Sequence, residues 1–331
     1  MTRQIIGFND EVIDSIFLSA TASDSHLVLA TNSNLIRIYD ARTMDARLLG
    51  GHTDVVLCLD KSPDGQWLVS GSKDNTARVW THDERGWRCI AIAQGHAEAI
   101  GAVAMSRTGS KFLFTASQDR TVKMWDLSEL DTTASEPVHL KSLATMRIHE
   151  KDINALDVSP NDSLLVSGSQ DKTLKLFSID YRAPTAKQAA SGSIKQLGLC
   201  KGHKRGVWSV KFSTTDRVVA SGAADRTIRL WSLDDFTCVK VCRLVEPACT
   251  RLILADVRGT HQFGSACRIP VERDAACQYG IGWTGQAVEH PRRRMRQDVG
   301  WARRQGGWSV SNPRSVALTE LADLGIGFEL G

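Results

Sequence analysis

The sequence lacks any run of about 18 apolar residues, and its first stretch, MTRQIIGFNDEV, lacks the apolar core of a secretion signal. Membrane insertion and secretion therefore have no support, and we expect an intracellular, reducing compartment. The eight cysteines include no C-x-x-C pair and no histidine at metal-binding spacing, which argues against a zinc site or a disulfide framework. We expect no metal, no cofactor, no small-molecule substrate and no membrane partner. The formal charge of +4 is too small to predict nucleic-acid binding by itself.

Lysine is missing from residues 241–331, which hold 12 arginines, whereas residues 1–240 hold 14 lysines and 15 arginines. Solvated charged surfaces normally mix both cations. This difference indicates that selection on a protein surface did not shape the C-terminal part.

Four segments before residue 240 repeat one pattern, in which short apolar–polar alternations are separated by turns rich in Pro, Asp, Gly and Ser. The segments are GHTDVVLCLDKSPDGQWLVSGSKDNTARVW (51–80), GHAEAIGAVAMSRTGSKFLFTASQDRTVKMW (95–125), IHEKDINALDVSPNDSLLVSGSQDKTLKLF (148–177) and GHKRGVWSVKFSTTDRVVASGAADRTIRLW (202–231). Alternation with a period of two indicates strands joined by tight turns. A repeat of this length therefore predicts sheet units with a fourth strand after the aromatic residue, for instance residues 88–93.

Each segment carries a histidine, a hydroxyl residue, an aspartate and an aromatic residue at nearly constant spacing, a set called a tetrad below. The tetrads are His52, Ser70, Asp74, Trp80; His96, Thr115, Asp119, Trp125; His149, Ser167, Asp171, Phe177; and His203, Ser221, Asp225, Trp231. A catalytic triad would occur once, so we predict no catalytic residue and interpret the repetition as structural. The indole N–H would donate to the hydroxyl, the hydroxyl to the imidazole, and the imidazole to the carboxylate. Because Phe177 cannot donate, its blade should be looser and its hydroxyl satisfied differently.

This pattern resembles the WD repeat, which implies an all-β, WD-repeat β-propeller. A degenerate unit at residues 11–49 keeps the alternation, with Tyr39 in the aromatic place. We therefore expect an incomplete propeller of about five four-stranded blades, with a last strand (residues 236–240) that ends early and two open sheet edges. Residues 128–147 and 181–199 predict surface insertions, either mobile linkers or partner contacts.

After Lys240 the repeat should continue with a sequence such as Thr-Phe-x-Gly-His, but the chain continues VCRLVEP. When the reading frame is shifted by one base, the codons of residues 256–261 can encode Thr-Phe-Glu-Gly-His-Thr. In the same frame, residues 275–289 permit Gln-Leu-Val-Ser-Thr-Gly-Ser-Asp-Gly-Leu-Val-Lys-Leu-Trp, and residues 295–305 permit Cys-Val-Lys-Thr-Leu-Asp-Gly-His-Asp-Asp-Lys. The codon of Val241 begins with GT, and the codons of Ala255 and Asp256 can read GCAG across their junction. These bases are the boundaries of an intron. Removing these 46 bases joins Lys240 to the missing repeat start.

We therefore predict three parts: a partial WD-repeat propeller (1–240), a retained-intron translation (241–255), and a non-native, out-of-frame tail (256–331) that is largely disordered. A well-packed core built from Trp283, Trp301 and Trp308 would contradict this prediction. The alternative is a genuine arginine-rich extension that binds nucleic acid through HPRRRMRQ.

Residues 7–240 also resemble, more narrowly, part of the second of two tandem propellers in the transducin beta-like, U3 small nucleolar RNA-associated family of WD proteins. The resemblance is carried by GHTDVVLCLD, DGQWLVSGSKDNTARVW, QDRTVKMWDLSE, GHKRGVW and HEKDINALDVSPNDSLLVSGSQDKTLKLF, whose HEKDIN start without Gly is the most distinctive. It implies a non-catalytic scaffold of the small-subunit processome in the nucleolus (nucleus), acting in early pre-rRNA (18S) processing and ribosome biogenesis. The implied partners are other WD-repeat and U3 particle proteins, with pre-rRNA contacted indirectly. The family's first propeller and C-terminal helical domain have no counterpart in these residues.

Two other interpretations stay open. One is a cytoplasmic WD-repeat adaptor, such as a ubiquitin-ligase substrate receptor or a signalling scaffold, and the other is an enzyme. The propeller fold by itself supports only an interaction scaffold, and co-purification distinguishes the first of these from the processome.

The loops that carry Gly-His and the residues before each tetrad aspartate should share one face of the propeller. The partner-binding candidates on or near it are Lys73, Gln118, Asp152, Gln170, Lys204, Arg205 and Trp208. We favour Trp208, because a strand aromatic beside two basic residues can anchor a partner. Replacing it with alanine should weaken particle association without lowering the melting temperature.

Overall fold

The computed structural model describes residues 2–5, 11–21, 24–83, 86–128, 130, 136–185, 188–243 and 327–330. The regular elements among these residues are all β-strands. None of the described residues belongs to a helix long and apolar enough to cross a membrane.

The strands form five consecutive sheets, each built around four antiparallel neighbours. An N-terminal strand, β1 (Thr2–Ile5), precedes them. Blade 1 consists of β2 (Val12–Thr21), β3 (Asp24–Thr31), β4 (Ile36–Asp40) and β5 (Ala46–Leu49). Blade 2 consists of β6 (Val56–Lys61), β7 (Trp67–Ser72), β8 (Thr76–Asp83) and β9 (Gly86–Gln94).

Blade 3 consists of β10 (Ile100–Met105), β11 (Phe112–Ser117), β12 (Thr121–Asp126) and β14 (Ser142–Arg147), and β13 (Val138–His139) pairs in parallel with β9 of blade 2. Blade 4 consists of β15 (Ile153–Val158), β16 (Leu164–Ser169), β17 (Thr173–Arg182) and β18 (Ser191–Lys201). Blade 5 consists of β19 (Val207–Phe212), β20 (Val218–Ala223), β21 (Thr227–Ser232) and β22 (Cys238–Arg243). The last strand, β23 (Gly327–Leu330), pairs in parallel with β1.

The hydrophobic core lies between neighbouring blades rather than inside one sheet. The first strands of consecutive blades pack side by side, in the order β2, β6, β10, β15 and β19, and no comparable packing joins β19 to β2 among the described residues. The second strands are buried on both faces, as in β11, where every residue is buried. Third strands such as β8 alternate buried and half-buried residues, which is the period-two pattern that the sequence shows.

Buried charges also join the blades. Asp60 of blade 2 accepts a hydrogen bond from the Met105 backbone N–H of blade 3 (2.8 Å). Arg107, two residues after β10, donates to Asp60 (3.2 Å) and to Asp157 of blade 4 (3.0 Å). Lys211 of blade 5 also pairs with Asp157 (2.9 Å). Burial would lower the pKa of Arg107, but the two carboxylates outweigh it and raise this pKa. One arginine therefore links three consecutive blades.

The fold confirms the all-β, five-blade propeller and corrects three details. The last strand does not end at Lys240: β22 begins at Cys238 and continues to Arg243, which pairs with Thr227, because backbone pairing needs no particular side chain. The two segments that we predicted to be insertions contain strands of the blades. Residues 142–147 form β14, and most of residues 181–199 extends the β17–β18 hairpin.

Apart from residues 241–243 and 327–330, the predicted intron-encoded segment and tail lie outside the described residues, as do Trp283, Trp301 and Trp308.

Candidate functional site

Three of the four tetrads form the complete predicted chain of hydrogen bonds. In blade 2, the Trp80 Nε1–H donates to Ser70 Oγ (2.8 Å), which lies 2.8 Å from His52 Nε2, and His52 Nδ1 lies 2.8 Å from Asp74 Oδ2. Because indole can only donate, the serine hydrogen points to His52 Nε2, and the neutral imidazole donates from Nδ1 to the carboxylate. The same three contacts recur at 2.9, 2.7 and 2.9 Å in the tetrad of His96 and at 2.7, 2.7 and 3.0 Å in the tetrad of His203.

The blade 4 tetrad lacks the indole donor. His149 still lies 2.8 Å from Ser167 Oγ and 2.7 Å from Asp171, and Ser167 Oγ also approaches the Lys175 carbonyl at 3.4 Å. Phe177 is fully buried. The histidine, hydroxyl and carboxylate therefore assemble without the tryptophan, and the looser packing that we expected for this blade stays a prediction.

In blades 2 and 5, the glycine before the tetrad histidine makes room for the tryptophan. A Cβ atom on Gly51 would lie 2.8 Å from Trp80 Cη2, and one on Gly202 would lie 3.2 Å from Trp231 Cη2. In blade 4 the smaller phenylalanine coincides with Ile148 in the glycine position, and Ile148 and Phe177 belong to the same buried cluster. In blade 4 a larger residue before the histidine therefore accompanies a smaller aromatic residue.

Our sequence reasoning missed a fifth member of each tetrad, a threonine two residues after the aspartate. Its hydroxyl donates to the second carboxylate oxygen at 2.6 or 2.7 Å; these threonines are Thr76, Thr121, Thr173 and Thr227. The sequence held the signal, since all four segments read D-x-T. In each of the four blades that carry a tetrad, the residue between the two has a positive φ of 62 to 74°, which places it at the tip of a tight turn: Asn75, Arg120, Lys172 and Arg226.

These hydrogen bonds keep the tetrad aspartates ionised. Burial alone would raise the pKa of Asp74, but hydrogen bonds from His52 and Thr76 outweigh burial and hold this pKa well below its usual range. Burial likewise opposes the hydrogen bonds of Thr227, the Lys204 backbone and His203, which lower the pKa of Asp225 to about 2. Burial lowers the pKa of His203 and outweighs its bond to Asp225, so this imidazole is neutral at pH 7.

Acid should therefore lower the stability of the propeller in two stages, each over its own pH range. His203 takes up a proton more readily in the unfolded chain, so stability falls as the pH drops below about 6.5. The aspartates, whose pKa is lower in the folded state, stabilise it fully above about pH 4, and this contribution is lost as the pH falls towards 2. Urea midpoints between pH 7 and 2.5 measure both stages, with Asp225→Asn as the variant whose lower stage should be smaller. A midpoint independent of pH over this range would refute the assignment.

Removing the hydroxyl should destabilise a tetrad that contains tryptophan more than the tetrad that contains phenylalanine. Ser70→Ala leaves both the buried Trp80 N–H and His52 Nε2 without a partner, whereas Ser167→Ala removes only the partner of His149. A buried donor left unsatisfied costs about 1–3 kcal/mol, so Ser70→Ala should be more destabilising than Ser167→Ala by about that amount. Chemical denaturation of the two variants tests this. Equal losses of stability would contradict the proposed donor chain.

The histidines and hydroxyl groups of the tetrads are not accessible to a substrate. Their histidines are 2 to 7% exposed and their hydroxyl residues are fully buried, and each polar atom named above is engaged within its own blade. Within the part of the chain that the structure describes, no group of three or more His, Cys, Asp and Glu side chains could hold a metal ion.

The partner-binding candidates lie mostly on one end of the propeller, called the tetrad face here. It consists of the loops that contain the tetrad histidines and the turns that contain the tetrad aspartates. The exposed Lys73 and Gln118 occupy equivalent turns of blades 2 and 3. The Gln170 backbone N–H of blade 4 donates to the Asp152 carbonyl (2.9 Å). Trp208 lies instead within β19 and is 49% exposed.

Loops of blades 4 and 5 meet on this face. A Cβ atom on Gly206 would lie 3.1 Å from Gln170 Cα, so the loop that carries the exposed Lys204 and Arg205 abuts the blade 4 turn. Asp152, Gln170, Lys204 and Arg205 therefore form one continuous surface, called the blade 4–5 patch. Whether it binds a partner stays a prediction.

The repeated blades and tetrads define a β-propeller built from WD repeats. Residues 45–81, 87–126, 140–178 and 194–232 match the family described as WD domain, G-beta repeat. The chain is a WD40-repeat protein, and it is homologous to transducin beta-like protein 3.

Three relatives illustrate this similarity. Transducin beta-like protein 3 of Mus musculus is 42% identical over 218 residues, which cover 64% of this chain and 26% of the relative. U3 small nucleolar RNA-associated protein 13 of Saccharomyces cerevisiae is 37% identical over 227 residues, 63% of this chain and 26% of the relative. The ribosome biogenesis protein WDR12 homolog of Drosophila mojavensis is 27% identical over 187 residues, 55% of this chain and 42% of the relative. The chain thus spans about a quarter of the length of the first two relatives.

Proposed function

We propose that this protein is a non-catalytic scaffold of the small-subunit processome, acting in the nucleolus in early pre-rRNA (18S) processing. The observation that carries the proposal is the similarity over nearly two thirds of the chain to transducin beta-like protein 3 and to a U3 small nucleolar RNA-associated protein. A third relative is named for ribosome biogenesis, which supports the same process.

The buried tetrads support the non-catalytic part of the proposal. A nucleophile and its base must reach a substrate, but the serine or threonine and the histidine in each tetrad are shielded and bound to partners in the same sheet. Their repetition in four blades gives them a common task, which is to hold the turns of the tetrad face in place. A face with rigid turns is suited to protein recognition.

The blade 4–5 patch is the surface that we propose for protein partners, which would be other WD-repeat and U3 particle proteins, with pre-rRNA bound indirectly through them. Lys204 and Arg205 are exposed next to each other, and the Lys204 backbone N–H is fixed by Asp225 (2.8 Å). Exposed arginine and lysine on an ordered loop favour an acidic partner surface.

Affinity purification of the tagged protein from growing cells tests the proposal. Lys204→Glu with Arg205→Glu should lower the recovery of U3 RNA and U3 particle proteins by about tenfold, which corresponds to a loss of about 1.4 kcal/mol. The matched control is Lys111→Glu with Lys195→Glu, the same charge change at exposed positions away from the tetrad face. Recovery of ubiquitin-ligase subunits in place of U3 components would favour the cytoplasmic adaptor and overturn the proposal.

A further inference from the structure

One face of each early blade is covered by the next blade through recurring contacts. A Cβ atom on Gly101 of blade 3 would lie 2.9 Å from the Ile153 carbonyl oxygen of blade 4. Asn154, at the equivalent position of blade 4, donates from Nδ2 to the Val207 carbonyl of blade 5 (3.1 Å). This position therefore touches the first strand of the following blade.

The same position in blade 5 is Trp208, which directly follows Val207 and is 49% exposed. The outer strands agree, because the pair Ile228 and Cys242 has the register of the pair Leu174 and Cys200 in blade 4. The blade 4 pair is fully buried in a cluster that includes Val207, Val210 and Phe212 of blade 5. On blade 5, Ile228 is still buried, but its partner Cys242 and the neighbouring Leu230 are only half-buried. Blade 5 therefore has the apolar face of a blade that another blade covers.

The codons after Ala255 can encode such a blade. Between the two motif segments at residues 256–261 and 275–289, the shifted codons of residues 262–274 permit Asn-Ser-Val-Leu-Arg-Val-Ala-Phe-Leu-Ser-Lys-Gly-Thr. Its Val-Leu-Arg-Val-Ala-Phe matches VWSVKF of β19 in the positions of Val207, Val210 and Phe212. The matches to the WD family end at residue 232, so the encoded residues of this region do not continue the repeat.

The shifted frame also reproduces the tetrad spacing. In the shifted frame, the codons of Thr260 and His261 encode the histidine, and those of Gln278 and Tyr279 encode the serine. The histidine precedes the serine by 18 positions, as His52 precedes Ser70. Its aspartate, from Gly282 and Trp283, follows the histidine by 22 positions, and its tryptophan follows the serine by 10, as in blade 2. The histidine comes from one motif segment and the other three residues from another, so their common register is independent support.

We propose that the exposed face of blade 5, centred on Trp208, is the docking surface for a sixth WD blade that the same gene encodes one base out of the frame of residues 256–289. Residues 241–255 are then intron-encoded, and residues 256–331 are out of frame. In the joined chain, Thr-Phe-Glu takes the place of residues 241–243 in β22, with phenylalanine in the register position of Cys242. This inference does not depend on the proposed function.

Two genes provide the test: one that encodes the 331-residue chain and one from which the 46 bases of codons 241–255 and the following base are removed. Trp208→Ala should lower the melting temperature of the joined protein by about 5 °C, because it then removes a buried contact, and should leave that of the 331-residue chain unchanged. Leu48→Ala, an exposed apolar residue of β5 in blade 1, is the matched control and should change neither.

Sequencing the mature transcript is the second measurement and does not require either protein to fold. We expect messages that lack the 46 bases and remain open in the shifted frame. Messages that all retain these bases, or equal effects of Trp208→Ala in the two proteins, would overturn the proposal. Dimerisation of the 331-residue chain that Trp208→Ala abolishes would make a second copy the occupant and would also overturn it.

Discussion

Replacing Arg107 with alanine is expected to destabilise the propeller by about 3 kcal/mol, because it removes the cation that joins the carboxylates of blades 2 and 4. The side chains of Asp60 and Asp157 are only 5 and 6% exposed, so neither carboxylate is solvated by bulk water in the intact protein. In this variant Asp157 keeps its ion pair with Lys211, and Asp60 keeps the hydrogen bond from the Met105 N–H. The melting temperature should fall by about 10 °C.

Arg217→Ala is the matched control. Arg217 also pairs with an aspartate, Asp234, at 2.9 Å, but the two side chains are 75 and 68% exposed. An exposed pair contributes about 1 kcal/mol or less, so this substitution should leave the urea midpoint nearly unchanged. Equal effects of Arg107→Ala and Arg217→Ala would show that the buried arginine does not join the blades.

Replacing Trp80 with alanine is the second substitution with a large expected effect, about 3–5 kcal/mol. The indole is 2% exposed, packs in the core between blades 1 and 2, and donates to Ser70. Alanine leaves a cavity beside Gly51 and removes the donor of the tetrad. Denaturant unfolding followed by circular dichroism measures the loss.

Trp80→Phe separates the contribution of ring packing from that of the hydrogen bond to Ser70. Blade 4 already uses phenylalanine at this position and still brings His149, Ser167 and Asp171 together. We therefore expect Trp80→Phe to cost much less than Trp80→Ala and to keep the His52–Ser70–Asp74 bonds. Equal costs would mean that packing in the space beside Gly51 contributes little.

The sequence was sufficient to predict the blades and tetrads because both are local and repeated. His52 and Asp74 lie 22 residues apart within one sheet, and the same spacing returns in other blades, so each unit tests the interpretation of the others. The D-x-T threonines were equally visible but carried no expected role, since a threonine after a turn is common.

Contacts that occur once could not be predicted from the pattern. Arg107 meets Asp60 and Asp157 across two blade boundaries, and no other segment has an arginine at the equivalent place to reveal its role. The extended β17–β18 hairpin is another case: Tyr181 donates to Asp126 (2.8 Å) and its ring lies 5.3 Å from Phe112 of blade 3. The polar composition of this segment suggested an insertion, whereas tertiary packing on blade 3 stabilises strand.

The partner-binding prediction was limited for a different reason. The order of loops placed Lys73, Gln118, Gln170 and Lys204 on one face, because antiparallel strands of equal length return their turns to the same end. The sequence indicated that Trp208 is a strand aromatic, but it could not show that Trp208 occupies the position at which Asn154 of blade 4 touches the next blade. Its exposure is therefore explained by the open face of blade 5 as well as by partner binding, and Trp208→Ala in the joined protein distinguishes the two.

The ratio of 18S rRNA to large-subunit rRNA in cells depleted of this protein tests the scaffold role most directly. If the protein acts in early 18S processing, 18S rRNA should fall while large-subunit rRNA is maintained. A copy of the full chromosomal gene should restore the ratio, and the same gene with Lys204→Glu and Arg205→Glu should restore it poorly. An unchanged ratio after depletion would contradict a role in the small-subunit processome.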